Sequence, residues 1–530
     1  MATPAIAPGS HAARSRSADA AAFVAGGLAA ALGIGVSELI AGLVADAPSL
    51  VIAIGDLVIS NQPPGGKEFF VSLFGESDKL ALNVLIVAAA VVIAGLLGVA
   101  GRRSFTFPAV GFTVAGIVGL LAALSQPLTE PVLAVITVAL AMAAALVALR
   151  LMLVPTRPAW ATRATSGTSA AMPDWDRRRF LQRSGGVAVG SVALGLLGRN
   201  LLEGRTVGPA QTASLPSAAA TPLPLPQSAS LDVPGITPIV VPNDEFYRID
   251  TALFAPRVGI EDWALTVSGM VDREVSLTYA ELAAMPLFDQ FVTIACVSNE
   301  VGGRLVGNAL WTGVDLRDVL DMAGVQPGAD QIVGRSVDGF TAGFPTAWAM
   351  DPERRPMIAL GMNGEPLPVD HGYPARLIIP GLYGYVSATK WLSGIELTTW
   401  EGFDGYWVPL GWAKEAPILT QSRIDVPRHG TTVEAGATAA IAGVAWAPDR
   451  GVRAVEVSID GGAWQAAQLS VPLNDATWVQ WLLPWTPAEP GQHRIRVRAT
   501  DGEGVIQTDE VTSPAPDGAR GHHTIEVSVV

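Results

Sequence analysis

The sequence predicts a multidomain protein. An N-terminal α-helical membrane domain occupies residues 1–202, a linker 203–238, an α+β domain 239–415 and an all-β domain 416–530. Three observations carry this reading. Long apolar runs fall only in the first 200 residues, although the chain as a whole is 50% hydrophobic. From about residue 240, short strand-like and helix-like patterns alternate in a composition typical of globular proteins. From about residue 420 the helical patterns stop and only alternating, turn-separated segments remain. At 530 residues the chain is also too long for one ordinary domain.

Four apolar runs open the chain, at roughly 21–44, 81–100, 107–125 and 131–154. Each is close to the ~20 residues needed to cross a hydrocarbon core. A shorter run, Val51 to Ile59, contains Gly55 and Asp56 and reads as a re-entrant or interfacial piece. Arg14 and Arg16 precede the first run, Arg102 and Arg103 follow the second, and Arg150, Arg157 and Arg163 follow the fourth. The opposite loops carry Asp46, Asp56 and Glu130. The positive-inside rule therefore places the N-terminus and the segment after the fourth run in the cytoplasm.

The next stretch, DRRRFLQRSGGVAVGSVALGLLG, resembles a twin-arginine export signal through Arg177, Arg178, Phe180 and Leu181. Asp176 stands where that pattern prefers Ser or Thr, and the motif is internal. The plainer reading is a fifth helix with a basic flank. Both readings carry the chain outward after Gly198, making the protein a multi-pass membrane protein with extracytoplasmic soluble domains. Residues 203–238, rich in Pro, Ala and Ser, read as an extended linker.

In the soluble half, WALTVSG, FVTIAC and ARLIIPG read as strands, and TYAELAAMP and VDLRDVLDMAGV as short helices, the second stopped by Gly324. Beyond 420, TAAIAGVAWA, RAVEVSIDGGAWQAAQL, TWVQWLLPW, HRIRVRATD and HHTIEVSVV alternate, and Asp460-Gly461-Gly462 is a hairpin signal. Several strands within ~110 residues suggest an immunoglobulin-like sandwich.

Composition excludes several function classes. A net charge of −14 argues against a nucleic-acid partner. One cysteine, Cys296, allows no intramolecular disulfide, no two-cysteine zinc site and no c-type haem attachment. Of six histidines only His11 precedes the soluble half, so the membrane helices cannot hold a bis-histidine haem. His522 and His523 would point to opposite faces of a strand and read as structural.

Taken alone, Cys296 reads as a small buried hydrophobe. Its context gives a second reading. The segment ALGMNGEPLPVDHGYPARLIIPGLYGYVSATKWLSGIEL closely resembles the molybdopterin-binding segment of the sulfite oxidase family, with its MNG-PLP-HG-P-R-PG-G-KW pattern. DEFYRIDTALFAPRVGIEDWALTVSG resembles the start of that fold, and AVEVSIDGGAWQ its C-terminal domain, which serves dimerisation in some members. The resemblance covers about 240–530. It implies a Mo-molybdopterin cofactor with Cys296 as its one protein ligand to molybdenum, and a thiolate is a matched ligand for a soft, sulfur-rich centre. It further implies that His371 and Arg376 contact the pterin, and that Ala388, Thr389 and Lys390 form the phosphate-binding piece. Tyr247 and Arg248, with Asn243 nearby, would contact the cofactor ahead of the cysteine, and Asp338 would face it. Arg248 would orient substrate. The plainer readings are a surface salt bridge for Lys390 and a turn cap for His371. Gly381 and Gly384 would permit close backbone approach.

The chain departs from sulfite oxidases at two places. Leu360 stands where they carry a tyrosine, and Glu300 and Val301 stand where arginines follow the ligand cysteine. A carboxylate disfavours a dianion, so a neutral sulfoxide or N-oxide is at least as well suited as sulfite. Arg248 and Arg304 are the remaining cations of interest. The implied function is a membrane-anchored molybdopterin-dependent oxidoreductase performing two-electron oxygen-atom transfer on a sulfoxide, N-oxide or sulfite. Its electron partner would be a quinone or a redox protein, and its C-terminal domain could make it a homodimer. Sulfite oxidase proper is one alternative. A cofactor-free binding or scaffold protein that kept the fold is the other.

Overall fold

The computed structural model describes residues 9–62, 66, 70, 73–74, 78–127, 129–153, 174–205, 215, 218, 225–253, 255–256 and 258–530. They belong to two compact units, Met1–Val207 with Ala252–Phe254, and Gly208–Thr251 with Ala255–Val530.

The first unit is helical: α1 (Gly9–Leu43), α2 (Leu50–Ser60), α3 (Asp78–Gly101), α4 (Thr106–Leu124), α5 (Pro131–Leu153) and α6 (Asp174–Arg205). Among the described residues, five stretches are long and apolar enough to cross a membrane: Ala18–Leu43, Asp78–Gly101, Thr106–Leu124, Pro131–Leu153 and Phe180–Leu202. The outward side chains include Val84, Ile93, Leu96, Ile117, Leu121, Leu140, Val147 and Leu196. Such a surface suits hydrocarbon and would be costly in water. The RRxFL motif lies within α6, where Arg178 is exposed; the side chain of Arg177 lies outside the described residues.

Gly55 and Asp56 do not interrupt the short run. It forms one continuous helix, α2, whose cap Ser49 accepts a hydrogen bond from Ile52 N at 3.2 Å. Gly55 is buried, and Asp56 accepts from Gln126 Nε2 at 2.5 Å. With no hydrophobic effect between helices in lipid, association needs close backbone approach at small residues. A Cβ on Gly98 would lie 2.2 Å from Ala22 O, and one on Gly26 2.0 Å from Ala94 O, so α1 and α3 touch backbone to backbone.

In chain order the second unit contains β1 (Ala264–Gly269), β2 (Val275–Thr278), α7 (Tyr279–Ala283), β3 (Leu287–Ala295), β4 (Val306–Asp315) and α8 (Leu316–Ala323). There follow β5 (Gln331–Ser336), β6 (Thr341–Pro345), α9 (Thr346–Ala349), β7 (Met357–Met362), β8 (Glu365–Pro366), β9 (Arg376–Ile378), α10 (Gly384–Ser387) and β10 (Leu392–Thr398). One sheet runs β2-β1-β10-β5-β6 and the other β3-β4-β7-β8, with β9 on β7. This is the α+β arrangement expected. Thr278 and Glu281 close a capping box on α7, and Gly324 ends α8 at φ +73°.

The remaining strands are β11 (Gln421–Val426), β12 (Thr432–Val433), β13 (Ala439–Trp446), β14 (Val452–Ile459), β15 (Gln465–Ala466), β16 (Gln468–Leu469), β17 (Val479–Trp485), β18 (Gly491–Asp501) and β19 (Thr524–Val529). They form two sheets, β11-β13-β17-β16 and β12-β19-β18-β14-β15. Their inner faces enclose a core with Ile441, Val457, Trp481, Val497 and Val527. Asp460 and Gly461 adopt positive φ between the paired strands β14 and β15, as the hairpin signal requires.

The end of the expected linker is docked. Ala229 is buried, Leu231 N donates to Gln480 Oε1 at 2.6 Å, and Gln480 Nε2 donates to Thr237 O at 2.7 Å. A Pro-rich segment can be extended and still be held by backbone hydrogen bonds.

The glycine contacts give a test. Gly98→Val should lower the thermal midpoint of the detergent-solubilised chain by several degrees, because overpacking costs about 1–3 kcal/mol. Gly190→Val, whose Cβ meets nothing within 4 Å, should leave it unchanged. Equal effects would mean that the close approach is not what holds α1 to α3.

Candidate functional site

Cys296 is the first residue after β3 and is buried. Its amide donates to Leu305 O at 2.9 Å, and its carbonyl accepts from Asn299 N at 3.0 Å. Asn299 Oδ1 accepts from Leu305 N at 2.8 Å. These three bonds close the polar loop 296–305 on itself and fix the direction in which the cysteine leaves the strand.

Around it stand three phenols. Burial raises the pKa of Tyr247, and the adjacent Cys296 adds to that rise. Tyr383 is pushed up to about 12, again by burial first, with Cys296 contributing. Tyr385 is raised for the same leading reason, then by Tyr383, Asp517 and Cys296. All three are therefore neutral O–H groups at physiological pH. Tyr385 donates to Ala413 O at 2.5 Å, and Leu419 N donates to the Tyr383 hydroxyl at 3.4 Å. Arg520, paired with Asp517 at 2.6 Å, is close enough to Tyr383 to act on it electrostatically. It comes from the segment between β18 and β19, so the sandwich contributes a cation beside this wall.

Tyr247 is also within electrostatic reach of Arg376, which links the cysteine to a second group of residues. Arg376 opens β9 and is buried. It donates from NH1 to His371 O at 3.0 Å and lies over the Trp311 ring at 4.9 Å. Its Nε has no partner, and no carboxylate among the described residues pairs with it. Burial lowers its pKa to about 10, so it remains a cation. His371 holds Asn243 O at 2.8 Å through Nε2. A carbonyl only accepts, so Nε2 carries the proton and Nδ1 is a bare lone pair, buried and without a partner. Thr389 is fully buried, and its hydroxyl is likewise unpartnered.

A third set is already neutralised. Lys390 Nζ meets Asp250 at 2.6 Å and Asp370 O at 2.8 Å, and burial lowers its pKa to about 8. Arg248 meets Asp250 at 2.8 Å and Asp370 at 3.0 Å. The arginine expected to orient substrate is thus engaged by two carboxylates. Asp250, absent from the sequence-based set, is the hub that acts on Lys390, Arg248, Arg376 and His371. Its sequence signal was only its place two residues after Arg248.

Other expected residues have local duties. Asn243 accepts from Asn363 Nδ2 at 2.8 Å, and Asn363 also bonds Val241 O and Leu310 N, so the MNG turn ties the entering segment to β4. Asp338 accepts from Phe340 N at 3.0 Å within the β5–β6 turn, and burial raises its pKa. The Ala388 amide donates to Gly384 O at 2.9 Å and is committed to its own turn. Gly381 does permit a close approach, since a Cβ there would lie 2.8 Å from the Asp449 carboxylate; Gly384 faces only ordinary contacts. Leu360 is sealed in the core, whereas Glu300 and Arg304 are exposed. His522 bonds Gln507 O at 2.9 Å and His523 accepts from Ile424 N at 2.9 Å, consistent with structural roles.

Residues 252–407 match the family model of the oxidoreductase molybdopterin binding domain. The chain is 31% identical over 320 residues to the mitochondrial sulfite oxidase of Rattus norvegicus, covering 51% of this chain and 58% of that one. It is 29% identical over 320 residues to nitrate reductase (NADH) 1 of Oryza sativa subsp. japonica, covering 48% of this chain and 34% of that one. Among solved structures it aligns with the sulfane dehydrogenase SoxCD from Paracoccus pantotrophus at a TM-score of 0.47 and 23% identity, over 55% of this chain and 82% of that one. The chain spans 58% of the length of the rat and human sulfite oxidases that it matches.

The donor set suits a molybdopterin. Arg376 Nε is an unused donor, His371 Nδ1 an unused acceptor and Thr389 Oγ1 able to do either. Such a trio complements a pterin edge and a phosphate, and it adjoins a buried thiol through Tyr247.

His371 gives a pH test. Burial lowers its pKa from 6.5 to about 4, so the unfolded chain takes the proton first. Stability present at neutral pH is therefore lost as pH falls from 6.5 towards 4. Between those values the wild type should lose about 2–3 kcal/mol more than His371→Gln, read from tryptophan-monitored unfolding. Parallel pH curves would show that His371 folds in with an ordinary pKa.

Proposed function

With residues 252–407 forming an oxidoreductase molybdopterin binding domain, we propose that this chain is a membrane-anchored molybdenum oxidoreductase. It would carry out two-electron oxygen-atom transfer on a small sulfur or nitrogen oxo compound. The observation that carries the reading is the buried Arg376 with its unused Nε, beside the unused His371 Nδ1 and Thr389 Oγ1. A cofactor-free scaffold would have no reason to keep these atoms buried and unsatisfied.

When bound, molybdopterin supplies a redox-active molybdenum able to accept or release an oxygen atom with two electrons. Cys296 would ligate the metal as the thiolate, its direction fixed by the closed loop 296–305. His371 would offer Nδ1 as an acceptor to the pterin, and Arg376 would offer Nε as a donor together with a positive charge that no carboxylate among the described residues pairs. Lys390 and Thr389 would hold the phosphate, with Asp250 keeping Lys390 oriented. Tyr247, Tyr383 and Tyr385 remain protonated and exclude water next to the thiolate, and the unbonded hydroxyl proton of Tyr247 can be offered to a substrate oxygen.

Positive-inside charge and the RRxFL motif support an extracytoplasmic site. Quinone or a one-electron redox protein remains the proposed partner class.

Sulfite is the second reading, favoured by Arg520. Glu300 is exposed, so solvent and salt screen its effect on an anion more than its place in the sequence suggests. Arg520 lies beside Tyr383 as half of an ion pair with Asp517, so a bound anion would draw on its guanidinium in competition with that carboxylate.

Protein made in a host that produces the cofactor should contain about one molybdenum per chain, lost or reduced in Cys296→Ser and Arg376→Gln. Molybdenum-free wild type would sink the reading. Arg520→Gln should raise KM for sulfite about 10- to 100-fold and leave KM for dimethyl sulfoxide nearly unchanged, because only the anion has a charge-assisted bond to lose. Equal effects on both would remove Arg520 from substrate binding.

A further inference from the structure

The loop that presents Cys296 is held from outside its own domain. Arg423, on the first sandwich strand, is buried, and its guanidinium has three partners. Nε meets Asp425 at 2.7 Å, NH2 donates to Thr237 Oγ1 at 2.8 Å and NH1 donates to Gly303 O at 2.8 Å. The first two hold the fork still; the third reaches the cysteine loop. At the next residue, Gly302 has φ +80°, and a Cβ there would lie 2.3 Å from Cδ2 of His523. The imidazole therefore lies directly on the glycine. Its orientation is fixed by Ile424 N, which donates to Nδ1 at 2.9 Å.

The strand leading to the cysteine is fastened in the same way. Thr293 N donates to Ala476 O at 2.9 Å, Trp478 N donates to Thr293 Oγ1 at 2.8 Å, and Asn474 Nδ2 donates to Phe291 O at 3.0 Å. Cys296 thus sits between two stretches of backbone, both bonded to the sandwich. Within the loop, Gly303 N to Glu300 O and Leu305 N to Asn299 Oδ1 carry any displacement of Gly302–Gly303 back to the cysteine.

We propose that Arg423 and His523 are positioning residues for Cys296, so that the C-terminal sandwich sets where the thiolate stands. The proposal rests on the reading of Cys296 as the metal ligand. Changing groups that orient a metal ligand typically costs about 10- to 100-fold in metal affinity or activity, and a site set loosely by even a fraction of an ångström loses efficiency. A purely structural clamp would change stability alone.

The test uses full-length holoenzyme. Arg423→Lys keeps a cation for Asp425 but lacks the fork that serves three partners at once. His523→Gln retains an acceptor for Ile424 N and removes the ring from Gly302. Ile441→Val, in the sandwich core away from the loop, is the stability control. Molybdenum content, the visible absorption of the metal–thiolate bond, the EPR g values of the one-electron-reduced enzyme, kcat and KM are measured for each. Arg423→Lys and His523→Gln should keep wild-type molybdenum, shift both spectra and lower kcat about tenfold with KM little changed. Ile441→Val should lower the melting temperature and shift neither spectrum. Unchanged spectra in both clamp variants at full molybdenum would overturn the proposal while leaving the assigned function standing, as would identical shifts in Ile441→Val. Wild type without molybdenum would overturn the function itself. Should Arg423→Lys fail to fold, His523→Gln decides alone.

Discussion

A guanidinium enclosed in protein with no carboxylate beside it is the constraint around which the soluble half is organised. Leaving a buried charge uncompensated costs several kcal/mol. Arg376 softens this by donating to His371 O and by lying on the face of Trp311. The carboxylate that acts on it is Asp250, which is already shared by Lys390 and Arg248. The neighbourhood therefore holds a net excess of positive charge, and His371 stays neutral in it. An anionic ligand with hydrogen-bonding edges would satisfy Arg376 Nε, His371 Nδ1 and Thr389 Oγ1 together.

The same region shows that the sequence boundary near 415 is not an energetic one. Val444, Trp446, Ala476 and Trp478 of the sandwich belong to one core with Ile294, Trp311, Ile379 and Tyr383. Trp478 Nε1 donates to Ile239 O at 2.8 Å, and Asn308 Nδ2 donates to the same carbonyl at 2.7 Å. The entering segment, the central strands and the sandwich thus meet at a single backbone oxygen. Ile441, Val455 and Ile495, by contrast, face the inside of the sandwich, which would fold its sheets together by hydrophobic burial in any case. Of the sandwich residues, Arg423 and His523 reach the loop that carries Cys296, with Arg520 on the segment before β19.

Local pattern was enough wherever a feature depends on neighbours in sequence. The apolar runs became helices because length and hydropathy alone decide that, and Asp315, Gly324 and Asp460-Gly461 did what caps and turns do. The short run at Val51–Ile59 is one helix, α2, in which Gly55 is buried and Asp56 accepts from Gln126 far along the chain, a pairing the run itself does not show. The motif pointed to His371, Arg376, Thr389 and Lys390, and these do converge. It could not reveal that Arg248 is engaged by Asp250 and Asp370, that the Ala388 amide is spent within its own turn, or that Tyr383 and Tyr385 stand by the cysteine with Arg520 beside Tyr383. Those facts come from pairings across long stretches of chain, which no local periodicity encodes.

The unsatisfied atoms also bear on how the chain becomes stable. A ligand that binds only the folded state adds RT ln(1 + [L]/Kd) to its stability. Here the gain is concentrated at residues tied to both parts of the soluble half, because β9, the entering segment and the cysteine loop share one core with the sandwich. A ligand satisfying these atoms would therefore tighten the sandwich contacts as well as the α+β sheets. By the same linkage, loosening Gly302–Gly303 from Arg423 and His523 would weaken binding without touching any atom that meets the ligand. The sandwich is thus joined to the loop that carries Cys296 through ordinary hydrogen bonds as well as through the shared core.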